Sequence, residues 1–257
     1  RLNLSIFQAD NAVTEANISG ILNVTHLNSK SEGATENDQL LLAYGSTWNL
    51  NGGKLYAEGS EFTGTLRIGS AGSKQSGPLN VSEGSALNLT RLEVKKLGTV
   101  TVNADSSITA QTLDISKGNV NVNGGSLTVT GSKGFTVFTG TDNSTPALKL
   151  NNGTFTVDAA SLFQEKATEK DATTTYEATD AAKAIKGTGS VNVTSDAFEY
   201  TLAQLSGAQT LLNSDNSADI KLVFANGTLK LAEGEKLDAN SVSGLVLADQ
   251  TGEASDS

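Results

Sequence analysis

The sequence predicts an all-β solenoid, a right-handed parallel β-helix, and three observations lead to this prediction. Segments in which apolar and polar side chains alternate recur along the chain, as in NVNVNGGSLTVT from Asn119. Polar or glycine-containing turns join these segments. Their spacing is nearly constant, because Leu92 and Leu113 lie 21 positions apart and Val100 and Val120 lie 20 apart. A repeating coil of about 20 residues can bury its apolar side chains by stacking on its neighbours.

Two classes of strand recur with this period. The second class consists of TLRI at Thr65, RLEV at Arg91 and TLDI at Thr112. Two classes that share one period predict two or three short strands in each coil. The first class comprises seven units, which begin at Thr47, Pro78, Thr99, Asn119, Ala147, Ser190 and Leu222.

A parallel β-helix makes specific stacking expectations. Val100 and Val102 should lie under Val120 and Val122, about 4.8 Å apart, and Ile108 should lie under Leu127. The coils should be right-handed, as crossovers between parallel strands are. Asn-Gly turns are also a strong signal for antiparallel hairpins, which remain the alternative. The constant spacing favours stacked coils, since hairpins explain only the turns.

The repeat is interrupted between Val157 and Gly189 by a segment rich in Ala, Lys and Glu. Thr174 to Glu177 fits a capping box, so we expect a short helix from about Thr175 to Lys186 and allow another near Ser161. The segment from Asp196 fits a helix or a strand. The sequence thus predicts one elongated domain over 1–257, a helical or loop insertion at 159–186 and a disordered tail at 249–257.

Composition excludes several classes of function. The formal net charge of -10 disfavours binding to nucleic acid or to an anionic membrane surface, and no stretch is apolar enough to insert into a membrane. The chain has no Cys and a single histidine, His26, and it lacks a nucleophile elbow and a P-loop. We therefore expect no cofactor, no metal and no enzymatic activity.

Two groups of residues are candidates for a site. Arg67, Glu93 and Asp114 occupy the middle position of the second strand class, so they should stack on one outward face. They could supply the paired carboxylates of a carbohydrate-active enzyme or form a ladder that balances charge. The insertion is either a recognition element or an excursion that covers apolar residues such as Leu162. As a recognition element it would bind through Phe163, Lys166, Lys170, Tyr176 and Lys183.

The strand–Asn-Gly–strand units, the Ser/Thr/Asn/Gly-rich surface, the acidic balance and the lack of Cys resemble the passenger domains of Gram-negative autotransporter (type V secreted) adhesins. The resemblance extends from about Leu41 to Leu231. It implies a right-handed β-helix at the bacterial cell surface or in the extracellular medium. The implied partners are a host or matrix protein, a glycan, or like molecules on neighbouring cells.

Three hypotheses for function follow. The first is a non-enzymatic adhesin that uses its coil faces and the insertion as a binding surface. The second is a carbohydrate-active β-helix enzyme, a polysaccharide lyase or hydrolase, with charged residues on one face. The third is a structural stalk or surface-layer segment.

Overall fold

The computed structural model describes residues 2–4, 14–24, 40–43, 46–57, 60–69, 77–138, 145–166, 175–194, 199–201, 219–224, 228–231, 234 and 245–247 of the 257-residue chain. His26, Lys170 and the tail at 249–257 lie outside the described residues.

Short strands dominate the described residues, with two helices of one turn each. The helices are α1 (Ala159–Leu162) and α2 (Asp180–Lys183). The strands are β1 (Leu2–Leu4), β2 (Thr14–Ile18), β3 (Ile21–Val24), β4 (Leu40–Ala43), β5 (Ser46–Asn51), β6 (Lys54–Ala57), β7 (Ser60–Glu61), β8 (Thr65–Ile68), β9 (Gly77–Ser82), β10 (Ala86–Val94), β11 (Gly98–Asn103), β12 (Ser107–Ser116), β13 (Asn119–Asn123), β14 (Ser126–Val129), β15 (Phe135–Phe138), β16 (Ala147–Asp158), β17 (Phe163–Lys166), β18 (Thr175–Ala178), β19 (Ile185–Thr194), β20 (Glu199–Thr201), β21 (Asp219–Phe224), β22 (Thr228–Lys230) and β23 (Leu245–Leu247).

The largest sheet has 15 strands, all paired in parallel, and it follows the coils around the molecule. Its main path runs β2-β5-β9-β11-β13-β16-β14-β12-β10-β8-β4. The path can turn back because β16 continues through a corner: its residues 147–150 pair with β13, whereas residues 154–156 pair with β14. The chain is therefore a parallel β-helix, as the sequence predicts.

Each coil contributes strands to three faces. The first face consists of β2, β5, β9, β11, β13 and the first halves of β16 and β19. The second consists of β14, β21, β23, the first halves of β10 and β12, and the second halves of β16 and β19. The third consists of β4, β8, β15 and the second halves of β10 and β12. One period of the sequence thus corresponds to three short strands.

The predicted stacking of apolar side chains is confirmed. Val100 pairs with Val120 and Val102 with Val122 in parallel register, and Ile108 pairs with Leu127. All six side chains are fully buried in one continuous core. Burial of such side chains supplies about 1.5–3 kcal/mol each, so the stack is the main source of stability.

The Asn-Gly turns within the described residues form corners of the coil and not hairpins. The turn at Asn123-Gly124-Gly125 joins β13 to β14, but these two strands pair with other coils and not with each other. Gly124 has a φ of +74°, which favours glycine. A Cβ on Gly125 would lie 2.4 Å from the carbonyl oxygen of Asn103, one coil below. Close approach of successive coils therefore requires glycine at position 125.

Replacement of Gly125 by Ala is expected to lower the free energy of unfolding by about 1–3 kcal/mol, because the added methyl group overlaps backbone that must then shift. Chemical denaturation followed by circular dichroism measures this change. Gly20→Ala is the control, since a Cβ there meets nothing within 4 Å. Equal stability of the two variants would contradict the close packing of this corner.

The predicted helix from Thr175 to Lys186 is wrong over much of its length. Residues 175–178 form β18, which pairs antiparallel with β17, and Lys186 lies in β19. Only residues 180–183 are helical, and their N-cap is Thr179, whose hydroxyl accepts from the amide of Ala182 at 3.1 Å. Pairing with a partner strand overrides the local helix propensity of this alanine-rich segment. The helix allowed near Ser161 is present as α1.

The two helices belong to the wall of the solenoid. Ala159 and Leu162 of α1 and Ala181 and Ala182 of α2 are buried and join the common core. Both helices also contact β15. The insertion therefore covers the apolar interior, which was the second of the two roles considered from the sequence.

Candidate binding surfaces

The three charged residues of the second strand class stack as predicted. On the third face, Arg67 of β8 pairs with Glu93 of β10, and Glu93 pairs with Asp114 of β12. The next residue in this column is Thr136 of β15. The column therefore places two carboxylates on successive coils.

Cations surround both carboxylates. Glu93 accepts a hydrogen bond from Nε of Arg67, and its oxygens lie 3.7 Å from Nη1 of Arg91 and 3.9 Å from Nζ of Lys95. Asp114 lies 3.5 Å from Nε of Arg91. The hydroxyl of Thr136 donates to Asp114. These groups form one network, which we call the charged ladder.

The charges of the charged ladder are paired with one another. The side chain of Glu93 is only 8% exposed, although it lies at an outward strand position, because the long side chains beside it cover it. Three cations face two carboxylates, and each carboxylate is already engaged. An inverting or retaining glycosidase needs a carboxyl pair that can reach a sugar, and these contacts leave Glu93 little access to one.

Sequence reasoning missed Arg91 and Lys95. Both were detectable, since residues 91, 93 and 95 alternate with the buried Leu92 and Val94, which places residues 91 and 93 on the outward side of β10 and Lys95 on the same side directly after its end. The prediction used only the middle position of each strand and therefore left out the cations two residues away.

The structure gives the side-chain surroundings of two of the five residues expected to bind on the insertion, Phe163 and Lys183. Phe163 is buried in the core at 6% exposure, so its ring does not stand on an exposed surface of the insertion. Its apolar ring covers the interior where the coil leaves the regular β path. Lys183 is exposed, and its Nζ lies 3.3 Å from Asp180. Lys166 and Tyr176 lie on β17 and β18, one register step apart.

Over four successive coils the second face carries two columns of small uncharged polar residues, which we call the polar rows. The same columns continue with Ala86 and Asn88 of β10 at one end and with Lys221 and Val223 of β21 at the other. Every member is half-buried and points outward, and the residue that follows each of them is a fully buried apolar residue. A hydrogen bond of 3.5 Å from Asn192 to Thr156 is the one hydrogen bond between side chains of the rows among the described residues. The first row contains Ser107, Ser126, Thr154 and Ser190, and the second contains Thr109, Thr128, Thr156 and Asn192.

The first face differs from the polar rows because its amides bond to one another. Nδ2 of Asn49 donates to Asn17 at 2.8 Å, and Nδ2 of Asn80 donates to Asn49 at 2.7 Å. These three residues occupy one column of the face. Their hydrogen-bonding capacity is used partly to connect coils, whereas the hydroxyls of the polar rows can serve an external ligand.

The described residues hold neither a cluster of metal-ligating side chains nor a membrane-spanning helix. Three or more His, Asp or Glu side chains do not converge there in a way that could hold a metal ion. Neither described helix has the length and apolar character needed to cross a bilayer.

When the chain is compared with models of known families, with curated proteins and with solved structures, none of the three comparisons finds a match.

Proposed function

We propose that the chain is part of a non-enzymatic adhesin, displayed at a bacterial surface or secreted, that binds host molecules, matrix or neighbouring cells through the sides of its solenoid. The observation that carries this proposal is the pair of polar rows on the second face. The resemblance to autotransporter passenger domains supports the bacterial setting.

The polar rows suit a repetitive partner. Their side chains recur about every 4.8 Å along the stack, and residues two apart on one strand lie about 6.6–6.8 Å apart. None of the eight members is charged, so a neutral glycan or a polar protein surface can approach without displacing a paired ion. Each hydroxyl contributes little alone, but simultaneous contacts on a rigid rod add through effective concentration.

The charged ladder does not support the alternative of a carbohydrate-active enzyme, because Glu93 and Asp114 are held by arginine and lysine side chains. Among the described residues, no particular observation favours the enzyme hypothesis. The adhesin is therefore the function to be tested.

The test is the binding of the full 257-residue chain to a glycan array and to immobilised matrix proteins. We expect the intact chain to bind some component, and the double variant Thr109→Lys with Thr156→Lys to lose about tenfold or more in apparent affinity. The two lysine side chains extend from the second row into water and obstruct the close approach of a ligand. Self-association of chain-coated beads is measured in parallel.

The matched control carries Thr99→Lys and Asn121→Lys, which place two cations at half-buried outward positions of the first face. This control should bind like the intact chain. An equal loss of apparent affinity in both double variants would show that the binding site does not lie on the polar rows. Failure of the intact chain to bind any glycan, matrix protein or like bead would overturn the adhesin proposal. Deletion of 159–186 is unsuitable as a test, because it would remove buried core residues.

A further inference from the structure

One strand of the third face has an unpaired edge within the described part of the chain. β15 pairs in parallel with β12 on one side only. On its other side the chain forms α1 where a regular coil would supply a strand, and the amide of Phe135 donates to the buried hydroxyl of Ser161 at 3.2 Å. The insertion therefore supplies a hydrogen-bond acceptor for the first amide of this edge, that of Phe135.

The rest of the edge centres on Val137. The amide of Leu113 in β12 donates to the carbonyl of Gly134 at 2.8 Å, which fixes the alternation of backbone groups along β15. By this alternation the N–H and C=O of Val137 point away from β12, to the same side as the amide of Phe135. No described residue supplies a backbone partner for them. The edge thus offers a donor and an acceptor to one more strand.

A cleft of about 650 Å³ lies beside this edge. Aromatic and aliphatic side chains form much of its lining, including Phe135, Val137 and Phe163. Phe138, at the end of β15, is 55% exposed and also lines the cleft. Lys133 is the single charged residue in the lining, in a chain whose net charge is -10. The cleft is therefore apolar with one positive end.

We propose that this cleft and the edge of β15 bind an extended segment of a partner protein, which adds to the third face as one further strand. Backbone hydrogen bonds to Val137 would provide affinity, and side-chain pockets would provide specificity, as in other cases of strand addition. The charge of Lys133 selects a segment with Asp or Glu at the end beside it, and the apolar lining selects a bulky apolar residue further along. This site does not depend on the polar rows.

The first experiment uses two labelled peptides as probes, acetyl-Asp-Thr-Val-Thr-Phe-Thr-amide and the same peptide with Lys in place of Asp. Fluorescence anisotropy with the full chain should show about fivefold or greater preference for the acidic peptide. Lys133→Glu should reverse the preference. Lys149→Glu, at an exposed site on the first face, should leave it unchanged. Absence of binding, or a preference that Lys133→Glu does not alter, would overturn the proposal.

The second experiment locates the bound peptide by hydrogen exchange. The amide of Val137 should exchange fast in the free chain and at least about tenfold more slowly with the acidic peptide at saturation, whereas the amide of Thr136, which faces β12, should be slow in both. An amide of Val137 that is already protected in the free chain would show that the chain's own residues occupy the edge. Protection that rises with protein concentration alone would indicate a second copy. Either result would contradict a partner segment.

Discussion

Substitution of Val120 by Asp is expected to prevent folding of the chain into its native solenoid. Val120 is fully buried and touches the equivalent residues Val100 and Leu148 in the coils below and above. A carboxylate there has no cation within the apolar interior, and such burial costs several kcal/mol, a large part of a typical stability of 5–15 kcal/mol. Circular dichroism and size-exclusion chromatography measure the loss of the folded state.

Asn121→Asp is the matched control, because Asn121 follows Val120 on β13 and points outward, half-buried. The same carboxylate at this position should change the free energy of unfolding by about 0.5 kcal/mol or less. A Val120→Asp chain that unfolds with the same midpoint as Asn121→Asp would contradict the stacked apolar interior.

The second large effect is expected at the charged ladder. Glu93→Gln keeps the size of the side chain but removes the negative charge that separates Arg67, Arg91 and Lys95. Loss of one partner from a buried ion pair costs 3–5 kcal/mol, and the partial exposure of the two arginines reduces this to about 2 kcal/mol. Urea denaturation of the two proteins gives the difference.

Asp180→Asn provides the comparison, since the ion pair between Asp180 and Lys183 is well exposed and should contribute less than about 0.5 kcal/mol. In addition, Arg67→Met should cost less in the Glu93→Gln background than in the intact chain, because the cation has lost its partner. Additive effects of Glu93→Gln and Arg67→Met would show that the charged ladder does not couple the coils.

The regular coils were predictable because several independent features of the sequence indicate the same structure there. From Ala86 to Val129 the alternation of apolar residues, the period of about 20 and the glycine corners all indicate the same stacked strands, and the register follows from the repeat itself. Alternation also fixed the outward column that contains Arg67, Glu93 and Asp114.

The insertion was predicted poorly because its structure depends on contacts that no repeat encodes. The segment Thr175–Ala178 is a strand because it pairs in antiparallel register with Phe163–Lys166. The first residues of these two segments, Phe163 and Thr175, lie 12 positions apart in the sequence. Likewise, Ser161 became important through its bond to Phe135, 26 residues away. The cleft beside β15 arises from these two departures from the period, so no local motif could indicate it.

The most direct test of the stacked parallel coils is disulfide formation in a chain that has no cysteine of its own. Three double variants place cysteines at half-buried outward positions: Thr99 with Asn119, Asn103 with Asn123, and Thr99 with Asn123. Parallel register makes the first two pairs direct neighbours, whereas the third pair is separated by four residues along the strand, about 13 Å. Under mild oxidation, gel mobility and mass spectrometry should detect crosslinks in the first two variants alone. A crosslink between positions 99 and 123, with none in the other two, would mean that β11 and β13 run antiparallel and that the molecule is not a parallel β-helix.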